Sequence, residues 1–259
     1  MTRSFDLSST TETFVPTDTL RALQTLGATT GLHWILIGAT ARDLVVYLPL
    51  GHTPPRITHD VDIVVAAEGF DLFTRDLVPR RGGNHAFQID GVAIDVLPIP
   101  TGQDATTIEF SDGSVLNTIG IPEAASSPET VLLRRDLVLE VASIEAQCAL
   151  KVLAWHDRHV DDPKDAVDLI ALLEAGSEGL YADETWDDPD SLTATDHDIR
   201  LAGAYRFGRN SRALFTADRA SVISDILLAP RTRSLLPQHA RRASANELLH
   251  AYTRGFHEG

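Results

Sequence analysis

The chain has almost no sulfur: one cysteine, Cys148, and one methionine in 259 residues. A lone cysteine excludes an internal disulfide and any cysteine-based zinc site. Long apolar runs are also missing. No stretch approaches the roughly eighteen apolar residues that a membrane helix requires, so no membrane partner is expected. Residues 1–19 lack a basic segment followed by an apolar core. No secretory signal is therefore expected, and the cytoplasm is the expected compartment. Lysine is the third scarcity, with two lysines against twenty arginines. A chain that uses arginine wherever arginine serves makes its two lysines, Lys151 and Lys164, informative.

Hydrophobic residues make up 43% and charged residues 23% of the chain, the composition of a globular protein with room for two modest domains. The net charge of −15 argues at first against a polyanionic partner. Its distribution says more. Residues 1–196 carry a balance of −20, whereas His197–Gly259 hold ten Arg and five acidic residues, a balance of +5. The basic tail region offers a grip on a polyanion through arginines such as Arg206, Arg209 and Arg212; ordinary surface arginines on helices would give the same composition.

Periodicity divides the chain. Leu20, Leu23 and Leu26 place a helix over Thr17–Thr30, followed by Gly31. A short buried strand, His33–Ile37, turns through Gly38-Ala39-Thr40 into a helix reaching Leu48. Asp60–Val65 is a second strand and Glu68–Val78 a helix. His85–Ile89 and Val92–Leu97 form a hairpin around Asp90-Gly91. Ala105–Phe110 and Leu137–Val141 are further strands. Beyond them the pattern is helical: Ser143–Arg158, Pro163–Ala175, His197–Leu214, Thr216–Leu228 and Ser244–Phe256, with the acidic stretch Ser177–Thr195 read as partly loop. The expectation is an α+β protein, with a catalytic mixed-sheet domain over 1–142 and a helical domain over 143–259.

Asp60-Val61-Asp62 opens an apolar strand, so its two carboxylates project from one face. Like charges that close raise each other's pKa unless a cation lies between them. Mg²⁺ suits such an oxygen site, because it takes a few carboxylates and fills its shell with water and phosphate oxygens. Two other Asp-x-Asp pairs, Asp188-Pro189-Asp190 and Asp196-His197-Asp198, sit in acidic, turn-like sequence. Asp95 interrupts the apolar run Val92–Leu97. A carboxylate there is costly unless paired or metal-bound, and it completes a three-carboxylate set unless its strand has one wet face. The Gly38-Ala39-Thr40 turn offers a close backbone approach and free helix amides to a phosphate. Lys151 shares a helix face with Trp155 and Arg158, and Lys164-Asp165 opens the next helix. His59 adjoins the acid pair, and His156 and His159 stand at a spacing that permits a metal.

The ordered set Leu36-Ile37-Gly38-Ala39-Thr40-Ala41-Arg42-Asp43, Asp60-Val61-Asp62, Ile94-Asp95-Val96, Ala149-Leu150-Lys151 to Trp155, and Lys164-Asp165 to Asp168-Leu169 resembles the nucleotidyltransferase superfamily. Within it the chain is similar to the AbiEii-type toxins of type IV toxin–antitoxin systems, which include the MenT-like tRNA nucleotidyltransferases. The family's turn is usually Gly-Gly or Gly-Ser; here it is Gly38-Ala39, with Thr40 supplying the nearest hydroxyl. The resemblance implies a nucleotidyltransferase-type sheet and attack on the α-phosphate of a nucleoside triphosphate. Asp60, Asp62 and Asp95 would be the Mg²⁺ ligands, and Gly38, Ala39, Thr40 and Lys151 the nucleotide contacts. Lys151 and Asp165 would join the catalytic set. A tRNA 3′ end is the implied acceptor, and a cognate antitoxin the implied partner. Two alternatives stand beside it: an enzyme modifying a small, aminoglycoside-like molecule, suited to the acidic front part, and a non-catalytic nucleotide binder.

Overall fold

The computed structural model describes residues 2–10, 14–55, 60–81, 83–102, 105–134, 137–160 and 162–259. His59 lies outside them. The chain folds as two compact units, Met1–Ser143 and Ile144–Gly259.

In chain order the first unit comprises β1 (Ser4–Asp6), α1 (Thr17–Thr30), β2 (Trp34–Ile37) and α2 (Gly38–Arg42), which a π-helical turn, Asp43–Tyr47, continues. There follow β3 (Asp60–Ala66), a 3-10 turn at Ala67–Gly69, α3 (Phe70–Thr74), β4 (Val78–Pro79), β5 (Ala86–Ile89) and β6 (Val92–Ile99). The unit closes with β7 (Thr107–Glu109), β8 (Val115–Asn117), α4 (Ile121–Ser126), β9 (Pro128–Leu133) and β10 (Leu137–Ala142). Eight strands form one mixed sheet in the order β1-β9-β10-β2-β3-β6-β5-β4, and β7 and β8 pair separately.

The apolar strands take the centre of the sheet. Leu36 on β2, Val61 and Ile63 on β3, and Ile94 and Val96 on β6 are wholly buried. Each such side chain stabilises the fold by about 1.5–3 kcal/mol. Strand β3 runs antiparallel to β2 and parallel to β6. β5 and β6 form the expected hairpin, with Ile89 paired to Val92 and both Asp90 and Gly91 at positive φ. That is the two-residue turn whose twist matches the strands it joins.

The second unit is helical: α5 (Ile144–Arg158), α6 (Lys164–Ala175), α7 (Gly179–Trp186), α8 (Pro189–Ala194), α9 (Ile199–Ala213), α10 (Ala217–Leu228), α11 (Pro230–Ala240) and α12 (Ala245–Glu258). Helices α9 and α12 touch backbone to backbone. A Cβ on Gly255 would lie 2.8 Å from the Tyr205 carbonyl carbon, and one on Gly208 2.8 Å from the Phe256 amide.

Several elements differ from expectation. Ser177–Thr195 is not partly loop but largely two helices, because Asp188 accepts the Ser191 amide and caps α8. Asp198 caps α9 in the same way, so these two Asp-x-Asp pairs terminate helices. Helix α11 forms despite Pro237 inside it. Thr232, Leu236 and Ala240, four residues apart, bury one stripe that offsets the lost backbone bond. The expected helix over 68–78 contracts to α3, and Val78–Pro79 becomes an edge strand where proline is tolerated. The Ala105–Phe110 strand is found as Thr107–Glu109, outside the main sheet. Pro128–Leu133 is a strand that the periodicity reading passed over.

Candidate active site

The C-terminal end of β2 and the adjoining stretch of β3 hold the acid pair. Asp62 pairs across the sheet with Ile37 on one side and with Asp95 on the other, and Asp60 pairs with Ala93. Neighbouring strands lie about 4.8 Å apart, so Asp60, Asp62 and Asp95 share one face of two adjacent parallel strands. Asp60 is exposed; Asp62 and Asp95 are half-buried. Burial pushes the Asp95 carboxyl above its ordinary value and the Asp60 charge adds to the rise, while His85 and Arg80 oppose it. His85 and Arg80 were not identified from sequence. They arrive through β5 and the segment before it, which only the hairpin register brings alongside Asp95.

Gly38 sits where no other residue fits. Its φ is +72°, and a Cβ added there would lie 2.8 Å from Asp62 Cγ and closer still to Oδ2. The chain thus turns from β2 into α2 directly against the Asp62 carboxylate. Ala39 and Thr40 follow as buried helical residues. The Thr40 hydroxyl donates to the Asp60 carbonyl at 3.2 Å, which ties the turn to the strand that carries the acids. One turn later, Arg42 and Asp43 form a buried ion pair, with Arg42 Nη2 2.7 Å from Asp43 Oδ1. The Arg42 guanidinium also lies over the Tyr47 ring at 5.1 Å. A π-helical turn begins there, a feature common at functional sites. Charged neighbours inside an apolar helix were the available signal for this pair.

These residues suit a hard divalent cation. Two carboxylates on one strand face, one exposed and one half-buried, make the donor chemistry of Mg²⁺, which takes one or two carboxylates and otherwise water and phosphate. Among the described residues no group of three His, Cys, Asp or Glu side chains gathers to hold a metal.

The second unit carries a different constellation. Lys151 Nζ lies 3.0 Å from Asp165 Oδ1 and 2.8 Å from Asp168 Oδ2. Arg158 donates to both Asp165 oxygens, at 2.6 and 2.9 Å. Both aspartates are buried and Lys151 is 8% exposed. Burial alone would raise the Asp165 carboxyl. The Arg158 hydrogen bonds and the charges of Lys151 and Arg158 outweigh it and hold that group below its ordinary value. Lys164 is elsewhere, paired with Asp162 at the surface. Asp168 and Arg158 were not named as site residues from sequence, although their three- and seven-residue spacings from Asp165 were there to use.

His159 of the histidine pair turns inward. His159 donates through Nδ1 to the Trp155 carbonyl at 2.9 Å, and its ring stacks on Trp155 at 4.3 Å. The arginines suggested for RNA are also engaged. Arg206 is buried and bonded to Glu184 and Thr185, Arg209 pairs with Asp188, and Arg212 donates to the Phe215 carbonyl. Arg206 and Arg209 hold α9 to the preceding helices.

Comparison with known proteins adds a family. The family described as "Nucleotidyl transferase AbiEii toxin, Type IV TA system" matches residues 21–249. Among curated proteins none matches the chain. The solved structures similar to it include the lincosamide antibiotic adenylyltransferase LnuA in its lincomycin-bound form, at 17% identity and TM-score 0.39, covering 61% of this chain and 96% of that one. The antibiotic-resistance factor ANT(2'')-Ia is similar at 15% identity and TM-score 0.37, covering 69% and 94%. An antigenic nucleotidyltransferase-like protein from Paracoccidioides brasiliensis is similar at 16% identity and TM-score 0.39, covering 70% and 91%.

Proposed function

Because the chain belongs to the AbiEii family of nucleotidyl transferase toxins of type IV toxin–antitoxin systems, and so is a nucleotidyltransferase, we propose that it transfers a nucleoside monophosphate from a nucleoside triphosphate to a hydroxyl at a tRNA 3′ end, the bond between the α- and β-phosphates breaking and pyrophosphate leaving. Membership implies a nucleoside triphosphate substrate and a cognate antitoxin. The acceptor and the metal are this reading's own additions.

The observation that carries it is the seating of Gly38 against Asp62, with Asp95 in register beside it. A phosphate approaching the β2–α2 turn meets backbone rather than a side chain. Asp60 and Asp62 would hold Mg²⁺, which would supply Lewis acidity toward the phosphate. Asp95, with its raised pKa, accepts the proton of the acceptor hydroxyl. Lys151, held by Asp165 and Asp168, would by the family resemblance supply a point charge to the triphosphate. Thr40 acts through Asp60, by fixing the strand that carries it.

A second reading has its own support. The −20 balance of residues 1–196 suits a small cationic acceptor. Incubation of the purified protein with each α-phosphate-radiolabelled nucleoside triphosphate, Mg²⁺ and total RNA, beside Asp62→Ala, separates the two. Label on tRNA-sized RNA, absent from the variant, is expected. Failure to label RNA, with label passing instead to an aminoglycoside in a parallel incubation that supplies one, would replace the tRNA reading with the small-molecule one.

A further inference from the structure

Most basic side chains of the second unit are already engaged. Lys151, Arg158, Lys164, Arg200, Arg206, Arg209, Arg242 and Arg254 each pair with a carboxylate. Arg219 is buried. Arg231, Arg233 and Arg241 stand apart. They are exposed, and none forms an ion pair with a described residue. All three belong to one element: Arg231 and Arg233 lie in the first turn of α11, and Arg241 is its C-cap.

The local sequence sharpens this. The 37 acidic residues average about one in seven along the 259-residue chain, yet Ile226–Asn246 contains none and holds four arginines. Carboxylates are thus absent from the segment that carries these arginines. Arg241 also adopts a left-handed backbone, φ 54°, at a position where glycine is the usual residue because a Cβ is disfavoured there. A strained arginine at a cap is a reason to look for a role.

Helix α11 is tied to the ionic network. Trp155 Nε1 donates to His239 Nδ1 at 3.2 Å. Trp155 is four residues beyond Lys151 and three before Arg158 on α5, so the anchor lies about one helical turn from each.

We propose that α11 and its C-cap form the surface that binds the phosphate backbone of the RNA acceptor, through Arg231, Arg233 and Arg241. The identity of the polyanion rests on the tRNA reading above; the surface rests on the unpaired arginines. RNA is favoured over an acidic protein because three exposed arginines, without carboxylate partners among the described residues, on one helix and its cap complement a polyanion, and because the anchor adjoins Lys151.

The test is equilibrium binding of fluorescently labelled tRNA to the full chain over a series of KCl concentrations, without nucleotide. Three proteins are compared: wild type, Arg231→Ala/Arg233→Ala/Arg241→Ala, and Arg75→Ala/Arg200→Ala/Arg254→Ala. The second triple removes equal charge from exposed arginines that already have carboxylate partners. The α11 triple is expected to bind about 10- to 100-fold more weakly at low salt and to flatten the salt slope by about two, while the other triple binds as wild type. Equal loss in both triples, or none in the α11 triple, overturns the surface. Wild-type protein that does not bind RNA also overturns it and leaves an acidic protein as the occupant to test. Transfer to RNA that survives normal binding by the α11 triple defeats this surface alone. Binding through α11 without any transfer defeats the reaction reading alone.

Discussion

The acids of the first unit and those of the second answer the same electrostatic problem in opposite ways. Asp60, Asp62 and Asp95 crowd one sheet face, and the Asp95 carboxyl is driven up by burial and by the Asp60 charge. Asp165 is more deeply buried, yet Arg158 and Lys151 bring its carboxyl below the ordinary value. Burial opposes ionisation in both places, so the difference lies in the partners. Lys151 and Arg158 balance Asp165 and Asp168 one for one. On the β3–β6 face, His85 and Arg80 oppose the rise of the Asp95 carboxyl without reversing it. A charge set paired in this way serves the fold, and acids crowded on one sheet face are suited to an incoming cation. Substitutions should therefore separate the two: activity without stability in the first unit, stability together with activity in the second.

The largest expected effect is on chemistry. Asp62→Ala should lower nucleotide transfer about 1,000-fold, since metal-assisted charge stabilisation is worth several kcal/mol, while the melting temperature stays within about 2 °C of wild type. A matching collapse of stability would put Asp62 with the structural acids. Lys151→Met comes next. Removing the ammonium that Asp165 and Asp168 share should cost about 3–5 kcal/mol of stability, read as a fall of roughly 10 °C in melting temperature; an unchanged melt would dissolve the contrast. Gly38→Ala should reduce transfer about 100-fold, because displacement of a reacting group by about 1 Å costs that much. It should also destabilise by about 1–2 kcal/mol through the positive φ. Normal activity in this variant would mean that the turn does not meet the phosphate.

The smallest effects concern pH, and their signs differ. Asp165 has a folded pKa below its unfolded one. Its stabilisation is present above the ordinary carboxylate value and is lost as pH falls through the lowered one. Asp95 has a folded pKa above its unfolded one, so its ionised form weighs against the fold at neutral pH and that burden lifts as pH falls through the raised value. Asp165→Asn should therefore be less stable than wild type at neutral pH, with the gap closing in acid. Asp95→Asn should be slightly more stable at neutral pH, with that gap also closing in acid. Thermal melts across the acidic range check both, and two variants shifting in the same direction would contradict the comparison.

Much of the fold was legible because it depends on local pattern. Thr17–Thr30, the Asp90-Gly91 hairpin and α6 carry their periodicity and their stop signals in adjacent residues. What escaped depends on remote partners or on caps. The segment Ser177–Thr195 looked like loop because its acids read as solvated, whereas Asp188 and Asp198 are helix caps. Helix α11 was hidden by Pro237, whose cost is offset only by packing on the rest of the unit. At the site, the shared face of Asp60 and Asp62 follows from strand alternation alone. The register that sets Asp95 opposite Asp62 does not, since it depends on the pairing of β3 with β6. Nor could composition tell engaged arginines from available ones. Arg206 and Arg231 look alike in sequence, and only the fold pairs Arg206 with Glu184 and leaves Arg231 exposed.

The most direct test of the central claim is a Mn²⁺ titration, with Mn²⁺ standing in for Mg²⁺, followed by the loss of the free-ion electron paramagnetic resonance signal. Wild type, Asp62→Ala and Lys151→Met would be compared below the melting temperature of each. The account predicts binding by wild type and Lys151→Met alike, and binding at least about tenfold weaker by Asp62→Ala, the loss of one charged ligand costing at least about 1.4 kcal/mol. Equal binding by Asp62→Ala and wild type, or loss of binding only in Lys151→Met, would contradict it.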